Sequence, residues 1–364
     1  VSIQKKPDTF LRRFSNSKFE NVKKKVILTF HAKTMQQKKP SHISNRCCRL
    51  DQIFFQPFGV IMQYYVQQIL NALQVGSVYA LIALGYTMVY GILTLINFAH
   101  GDIFMVSTYI AFFVSTLLLG LTHHLPPLFT FVATLLAAMA GTSLVAVLIE
   151  RLAYKPLRTA PRISCVITAL GVGLLLENFM VAFKPIGPDS RIIPALFESR
   201  NYSIAGVTFS TLQIMIILIS GIAMVLLDLV VRKTMIGMAM RAISWDKFTV
   251  PLMGISVDTI ISITFILGAS VAAIGGTLYG MAYSIDPYMG IRIGWWAFIS
   301  AVVGGIGNIR GAMLGGYILG FIEIFTPVFL PTSTYRDFVA FSLLLVLLIF
   351  KPTGILGKPA VQKV

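Results

Sequence analysis

Four places in this chain set ionisable or strongly polar side chains inside long apolar runs. INFAHGD puts Asn97, His100 and Asp102 at the start of one run, with Gly101 between the last two. Glu177 and Asn178 sit in a second, Asp228 near the end of a third, and Glu323 in a fourth. A charge at mid-membrane costs about 2.5–3.5 kcal/mol on insertion scales, so each position needs a reason. Carboxyls and an imidazole in such a setting can relay protons or bind a polar solute. They can also stay protonated or paired and tie helices together. For Glu177 and Glu323 both readings stand, His100 reads as a hydrogen-bonded structural residue before a proton relay, and Asp228 lies close to water. Asn, Ala, His and Gly so near one another make a poor lipid-facing helix, so INFAHGD reads as irregular backbone lining a cavity or packed in protein. Asn97, His100, Gly101, Glu177 and Glu323 form the candidate translocation path.

A different chemistry is suggested by RKTMIGMAMRAISWDKFTVPLMGISVD, residues 232–258, a basic stretch between two apolar runs. Met235, Met238, Ala239, Ala242, Trp245, Thr249 and Leu252 recur at helical spacing, with Arg241, Ser244 and Lys247 on another side. Pro251 disfavours helix at Val250, and Gly254 permits a sharp turn before the next run. The pattern predicts a short amphipathic helix at the membrane surface, offered to a soluble partner; an ordinary polar loop is the plainer alternative. No enzymatic constellation accompanies it. GxxxxGK[ST] is missing, since GILGK at 354–358 has the wrong spacing, and neither HExxH nor GxSxG occurs. Three cysteines (Cys47, Cys48 and Cys165) and five scattered histidines offer no disulfide framework or metal spacing. No catalytic residue, cofactor or metal is therefore expected, and ATP chemistry for uphill work must come from another chain.

The elements that position these groups follow from composition. The chain is 56% hydrophobic and 12% charged, with a mean hydropathy of +0.80, against about 25% charged residues in soluble domains. Several apolar runs reach the ~20 residues needed to cross a bilayer. The fold class is all-α, a polytopic transmembrane bundle of about eight or nine spans. These lie near 66–90, 97–121, 128–150, 163–183, 211–231, 259–283, 295–330 and 335–350. GGIGNIRG (Gly304 to Gly311) should break the seventh into two pieces.

Loops holding Arg151, Lys155, Arg158 and Arg162, then Arg232, Lys233, Arg241 and Lys247, and the tail with Lys351, Lys358 and Lys363 should face the cytoplasm. The 184–210 loop then faces outside. Counting backwards puts the start of the first span outside, so residues 66–121 hide an extra crossing or re-entrant turn unless the basic tail is spurious. Residues 1–61 carry a net charge of +10, without periodicity or signal-peptide build. They read as a basic polar extension or a mis-assigned start, with Met62 (or Met35) the expected first residue. No nucleic-acid partner is expected. Rows of small residues at Gly268, Ala272, Gly276 and Gly280, at Gly311 and Gly315, and at Gly316 and Gly320 mark helix-packing seams.

From about Met62 to Val364 the chain resembles the LivH-type permease family of bacterial branched-chain amino-acid ABC importers. The resemblance rests on GSVYALIALGYTMVYGI (Gly76 to Ile92), INFAHGD (Ile96 to Asp102), ERLAYKPLR (Glu150 to Arg158), AVVGGIGNIRGAMLGGYILG (Ala301 to Gly320) and PTGILGKP (Pro352 to Pro359). It implies a helical permease domain over 62–364, working beside a second permease chain in a heterodimer. Two ABC ATPase subunits would drive it, and a periplasmic or extracellular binding protein would deliver an amino acid across the bacterial cytoplasmic (inner) membrane. It identifies 232–258 as an ATPase-coupling loop, with Gly237, Arg241, Ala242, Asp246, Gly254 and Ile255 at the recurring positions. Arg241 and Asp246 would maintain the docking geometry by charge pairing. Val250, Pro251 and Glu177 depart from the family pattern, so the coupling helix could end early and the role of Glu177 is open. The leading expectation is a permease for Leu, Ile and Val. Its rivals are a urea or short-amide importer, and a secondary transporter using Glu177, Glu323 and His100 as a proton relay.

Overall fold

The computed structural model describes residues 50–93, 95–121, 126–158, 160–247, 249–330 and 332–357. Helices α1 (Leu50–Leu93), α2 (His100–Leu121), α3 (Pro127–Ile149) and α4 (Arg162–Ala182) come first. A hairpin of β1 (Asn201–Ile204) and β2 (Val207–Ser210) follows, pairing Asn201 with Ser210 and Ile204 with Val207. After it come α5 (Thr211–Lys233), α6 (Met235–Trp245), α7 (Val257–Ala282), α8 (Met289–Gly304), α9 (Ile309–Phe329) and α10 (Tyr335–Phe350). The chain forms two compact units, residues 1–59 and 60–364; of the first, only helical backbone at 50–59 is described. The expected extension, Cys47, Cys48 and the His123–His124 pair lie largely or wholly outside the described residues.

Among the described residues, seven helices are long and apolar enough to cross a membrane: α1 from Ile61, α2, α3, α4, α5, α7 and α9. The chain is a polytopic helical membrane protein. Helices α8 and α10, of 16 residues each, reach about 24 Å. The seventh run breaks where expected. Gly305 and Gly307 take φ of +110° and +90°, so the helix cannot continue through them.

Many large apolar side chains on α3, α4 and α5, such as Leu136, Ile167 and Leu218, are exposed, because lipid is as apolar as they are. Ser107, Thr108, Thr264, Thr277 and Ser300 are buried, each hydroxyl donating to a carbonyl three or four residues back, which satisfies the group without water. The expected seams are real and have partners. Gly316 and Gly320 pack on Ala80 and Gly76 of α1, Gly311 and Gly315 on Gly304 and Ser300 of α8, Gly268 on Gly85, and Gly276 on Ser107.

One end of the bundle gathers the basic loops. There Lys155 meets Asp258, Arg310 meets Asp228, and Lys247 reaches the end of α1. At the other end Thr208 of the hairpin donates through its N–H (2.9 Å) to the side chain of Gln67, six residues into the span of α1 that begins at Ile61. The positive-inside rule predicts that the first end is cytoplasmic, and the span of α1 from Ile61 would then start outside. Among the described residues no extra crossing intervenes: α1 runs unbroken to Leu93, and the described backbone at 95–99 is irregular before α2 begins.

Candidate functional site

INFAHGD is packed in protein. Asn97 Oδ1 accepts from the Ala99 N–H (3.1 Å), an Asx turn that reverses the chain into α2. The same oxygen accepts from the Tyr154 hydroxyl (2.5 Å). That tyrosine sits on a π-helical turn, Glu150–Tyr154, which extends α3. Beside the pair lies a cavity of about 30 Å³, room for one water.

His100 and Gly101 fit because glycines face them. The His100 ring fills the place a Cβ on Gly85 would occupy, and packs edge-on against Tyr86 (centroids 5.0 Å apart). Its Nε2 has no hydrogen-bond partner among the described residues. A Cβ on Gly101 would lie 2.8 Å from the Gly294 Cα, so α2 and α8 touch backbone to backbone. Asp102 is boxed between Gly173 of α4 and Gly290 of α8. Its carboxyl lies beside that of Glu177, and Asp102 Oδ1 and Glu177 Oε1 are buried without a hydrogen-bond partner among the described residues.

The structure therefore gathers His100, Gly101 and Glu177 around Asp102, with Asn97 a turn away. Glu323 stands apart. It lines an outward cavity with Tyr79, which is seven residues or about 10 Å along α1 from Tyr86. Sequence reading did not single out Tyr79, Tyr86, Tyr154, Trp296, Arg336 or Asp337, since aromatic and charged residues near span ends are what any membrane helix carries.

At the basic end α6 is a capped helix of 11 residues. Thr234 Oγ1 accepts from the Gly237 N–H (3.2 Å). Gly237 presses on the Val231 backbone, where a Cβ could not fit, and Arg241 donates to the Val231 carbonyl. Both contacts fold α6 back onto the end of α5. Asp246 Oδ2 accepts from the Thr249 hydroxyl (2.5 Å). A 3₁₀ turn at Val250–Met253 then ends on Gly254, whose φ of +77° suits glycine. Pro251 thus leaves Val250 in a 3₁₀ turn and out of α6. Ala242 and Ile255 are half-buried.

The inward face of α6 is Gly237, Ala239, Met240 and Ile243. Of the apolar stripe expected from spacing, Met235, Met238, Trp245 and Leu252 point outward, Trp245 at 65% exposure. Lys247 Nζ donates to the Leu93 carbonyl (3.1 Å), joining this unit to α1. Next to it opens a cavity of about 780 Å³ lined by Asp228, Arg232, Arg241 and Asn308.

A bundle of long apolar helices with a separate surface helix at its basic end is what a transport permease requires. The family described as branched-chain amino acid transport system / permease component matches residues 68–348. The chain belongs to this family. It is similar to the high-affinity branched-chain amino acid transport system permease protein BraD of Pseudomonas aeruginosa, 43% identical over 309 residues, covering 83% of this chain and 98% of that protein. It is also 40% identical over 313 residues to LivH of Escherichia coli, with the same coverage. A more distant relative is the probable branched-chain amino acid transport permease protein LivH of Methanocaldococcus jannaschii, at 28% over 301 residues, covering 79% of this chain and 91% of that protein. As a permease, the chain is a transport subunit and not an enzyme.

Proposed function

We propose that this permease is the membrane-spanning subunit of an ATP-driven importer for branched-chain amino acids in the bacterial cytoplasmic membrane. It works beside a second permease subunit, with two ATPase subunits on its cytoplasmic face and a binding protein outside. The observation that carries the reading is α6, a short capped helix whose exposed Met235, Met238 and Trp245 face away from the bundle. Exposed aromatic and methionine side chains on a rigid element are what a protein interface uses.

Residues 232–258 act as the coupling loop of the 62–364 permease domain. Gly237 and Arg241 tie α6 to α5, Ala242 packs between helix and bundle, and Asp246, Gly254 and Ile255 shape the return into α7. An ATPase seated on α6 therefore moves α5 with it, and α1 through Lys247, as a rigid body. Asn97, His100, Gly101 and Glu177 lie along the path within the bundle and Glu323 at its outer mouth. The likeness to permease proteins of branched-chain amino acid transport systems favours the ATP-driven reading over a relay through His100, Glu177 and Glu323.

Radiolabelled leucine uptake by the reconstituted complex tests this, with and without ATP, competed by urea and by polar amino acids. Uptake should need ATP and resist urea. Leucine movement by the purified chain alone, driven by an ion gradient, defeats the proposal.

A further inference from the structure

The outward half of the bundle contains a recess with the makings of a binding site. Thr108, midway along α2, packs against Met289, the first residue of α8. The outer end of α2 at Leu121 is 13 residues or about 20 Å farther on. Helix α8 thus starts deep, and above it lies a cavity of about 520 Å³ among α1, α7, α8, α9 and the start of α10. That volume falls within the range of about 300–1,000 Å³ typical of small-molecule sites.

Arg292 on the lining pairs with Asp286 (3.0 Å), which leaves Arg336 opposite Glu323 and Asp337. Glu323 accepts from the Tyr79 hydroxyl on one oxygen and lies 3.8 Å from Arg336 Nη1 on the other. An Arg–carboxylate hydrogen bond normally spans about 2.7–2.9 Å, so this pair is loosely closed. Arg336 Nε is buried and without a hydrogen-bond partner among the described residues, leaving donor capacity unused. Asp337 accepts from the Trp296 indole (3.1 Å), and Trp296 stacks on Tyr79 with centroids 5.8 Å apart. Val78 and Ile293 continue this apolar wall.

We infer that this recess binds a zwitterionic α-amino acid with an aliphatic side chain, the carboxylate on Arg336, the ammonium on Glu323, and the side chain against Tyr79 and Trp296. A solute carrying a single charge would open the Arg336–Glu323 pair and leave one of its two members uncompensated in a half-buried setting, which is costly. A small neutral amide would fill neither the volume nor the apolar wall. The loose Arg336–Glu323 pair opens to admit the zwitterion and restores its own charge balance on doing so. The inference rests on the amino-acid importer reading and assigns its cargo a place.

The test uses the reconstituted importer with a Ser333→Cys substitution at the rim, reacted with a charged methanethiosulfonate and compared with the unsubstituted complex. Leucine should slow the reaction of Cys at 333, whereas leucinol, 4-methylpentanoate and urea, which lack a carboxylate, an ammonium or an aliphatic side chain, should leave it unchanged. In parallel, Arg336→Gln and Glu323→Gln should each raise the KM for leucine uptake about tenfold or more. Leucine uptake by the wild-type complex, with no protection at 333 and both variants within about twofold of its KM, overturns the site and leaves the importer reading intact. A wild-type complex that moves urea but not leucine overturns the importer reading itself. Labelling of Cys at 333 reads occupancy directly, so a variant that fails to assemble does not decide the question.

Discussion

Arg158→Gln should destabilise the permease far more than its position at a loop suggests. Glu150, on the π-helical turn, has a side chain only 1% exposed, and its oxygens accept from Arg158 and from Ser262 Oγ (2.9 Å). Arg158 is 23% exposed and also bonds Asp258. Removing the guanidinium leaves a buried carboxylate with one hydroxyl. Breaking a buried pair from one side costs about 3–5 kcal/mol, and partial exposure here places the loss near the lower end. Asp258 adds little, because at 52% exposure it keeps Lys155 at 2.7 Å, and exposed pairs contribute about 0–1 kcal/mol. The double variant Arg158→Gln with Glu150→Gln removes the uncompensated charge and should recover about 2 kcal/mol of the loss. Thermal unfolding of the purified permease in detergent, followed by tryptophan fluorescence, reads this as a drop of about 5 °C or more for the single variant. Asp258→Asn should stay within about 1 °C. The reasoning is refuted if Arg158→Gln melts with the wild type, or if the double variant is less stable than the single one.

Three further outcomes follow from particular contacts. Gly320→Leu places carbons against Gly76 and the Ala72 carbonyl, forcing α1 from α9 at a cost of about 1–3 kcal/mol; Gly221→Leu, where nothing lies within 4 Å, should be neutral or stabilising in the same melting assay. Glu177→Gln places an amide donor beside the unpartnered Asp102 Oδ1 and should stay within about 1 kcal/mol, whereas Glu177→Ala removes the neighbouring polar group and should lose about 1–3 kcal/mol. Arg241→Glu severs the tie to the Val231 carbonyl; ATP hydrolysis by the assembled importer should continue while leucine uptake falls at least about tenfold, and unchanged uptake counts against the role given to α6.

Periodicity and hydropathy made the long helices legible, because each run had to satisfy its own backbone in lipid and could do so only as a helix. The break after Gly304 was legible for the same reason. What spacing left ambiguous was direction. On α6, Met235 and Met238 share a stripe with Ala239, yet the bundle takes the small residue and leaves the large ones outside, since α6 packs back on Val231 through Gly237. The candidate path was half legible. His100, Gly101 and Glu177 meet through Asp102, a residue noted only as part of its motif, and the glycines facing it come from α4 and α8, which sequence distance hides. Glu323 was visible as an intramembrane charge; its companions Arg336 and Asp337 sit on another helix and looked like ordinary interfacial residues.

The corner between α8 and α9 is finished by the segment that follows α10. The Ile355 and Leu356 N–H groups donate to the Val303 and Gly304 carbonyls (2.9 and 3.0 Å), and Asn308 Nδ2 donates to the Leu356 carbonyl (2.7 Å). These acceptors wait some fifty residues of synthesis for their donors. Helices α8 and α9 can enter the bilayer during translation, but their joint locks only once Ile355 and Leu356 have left the ribosome. A fusion partner spliced in before Ile355 would thus strike at a corner far from it in sequence, whereas one appended beyond Gly357 leaves the latch whole.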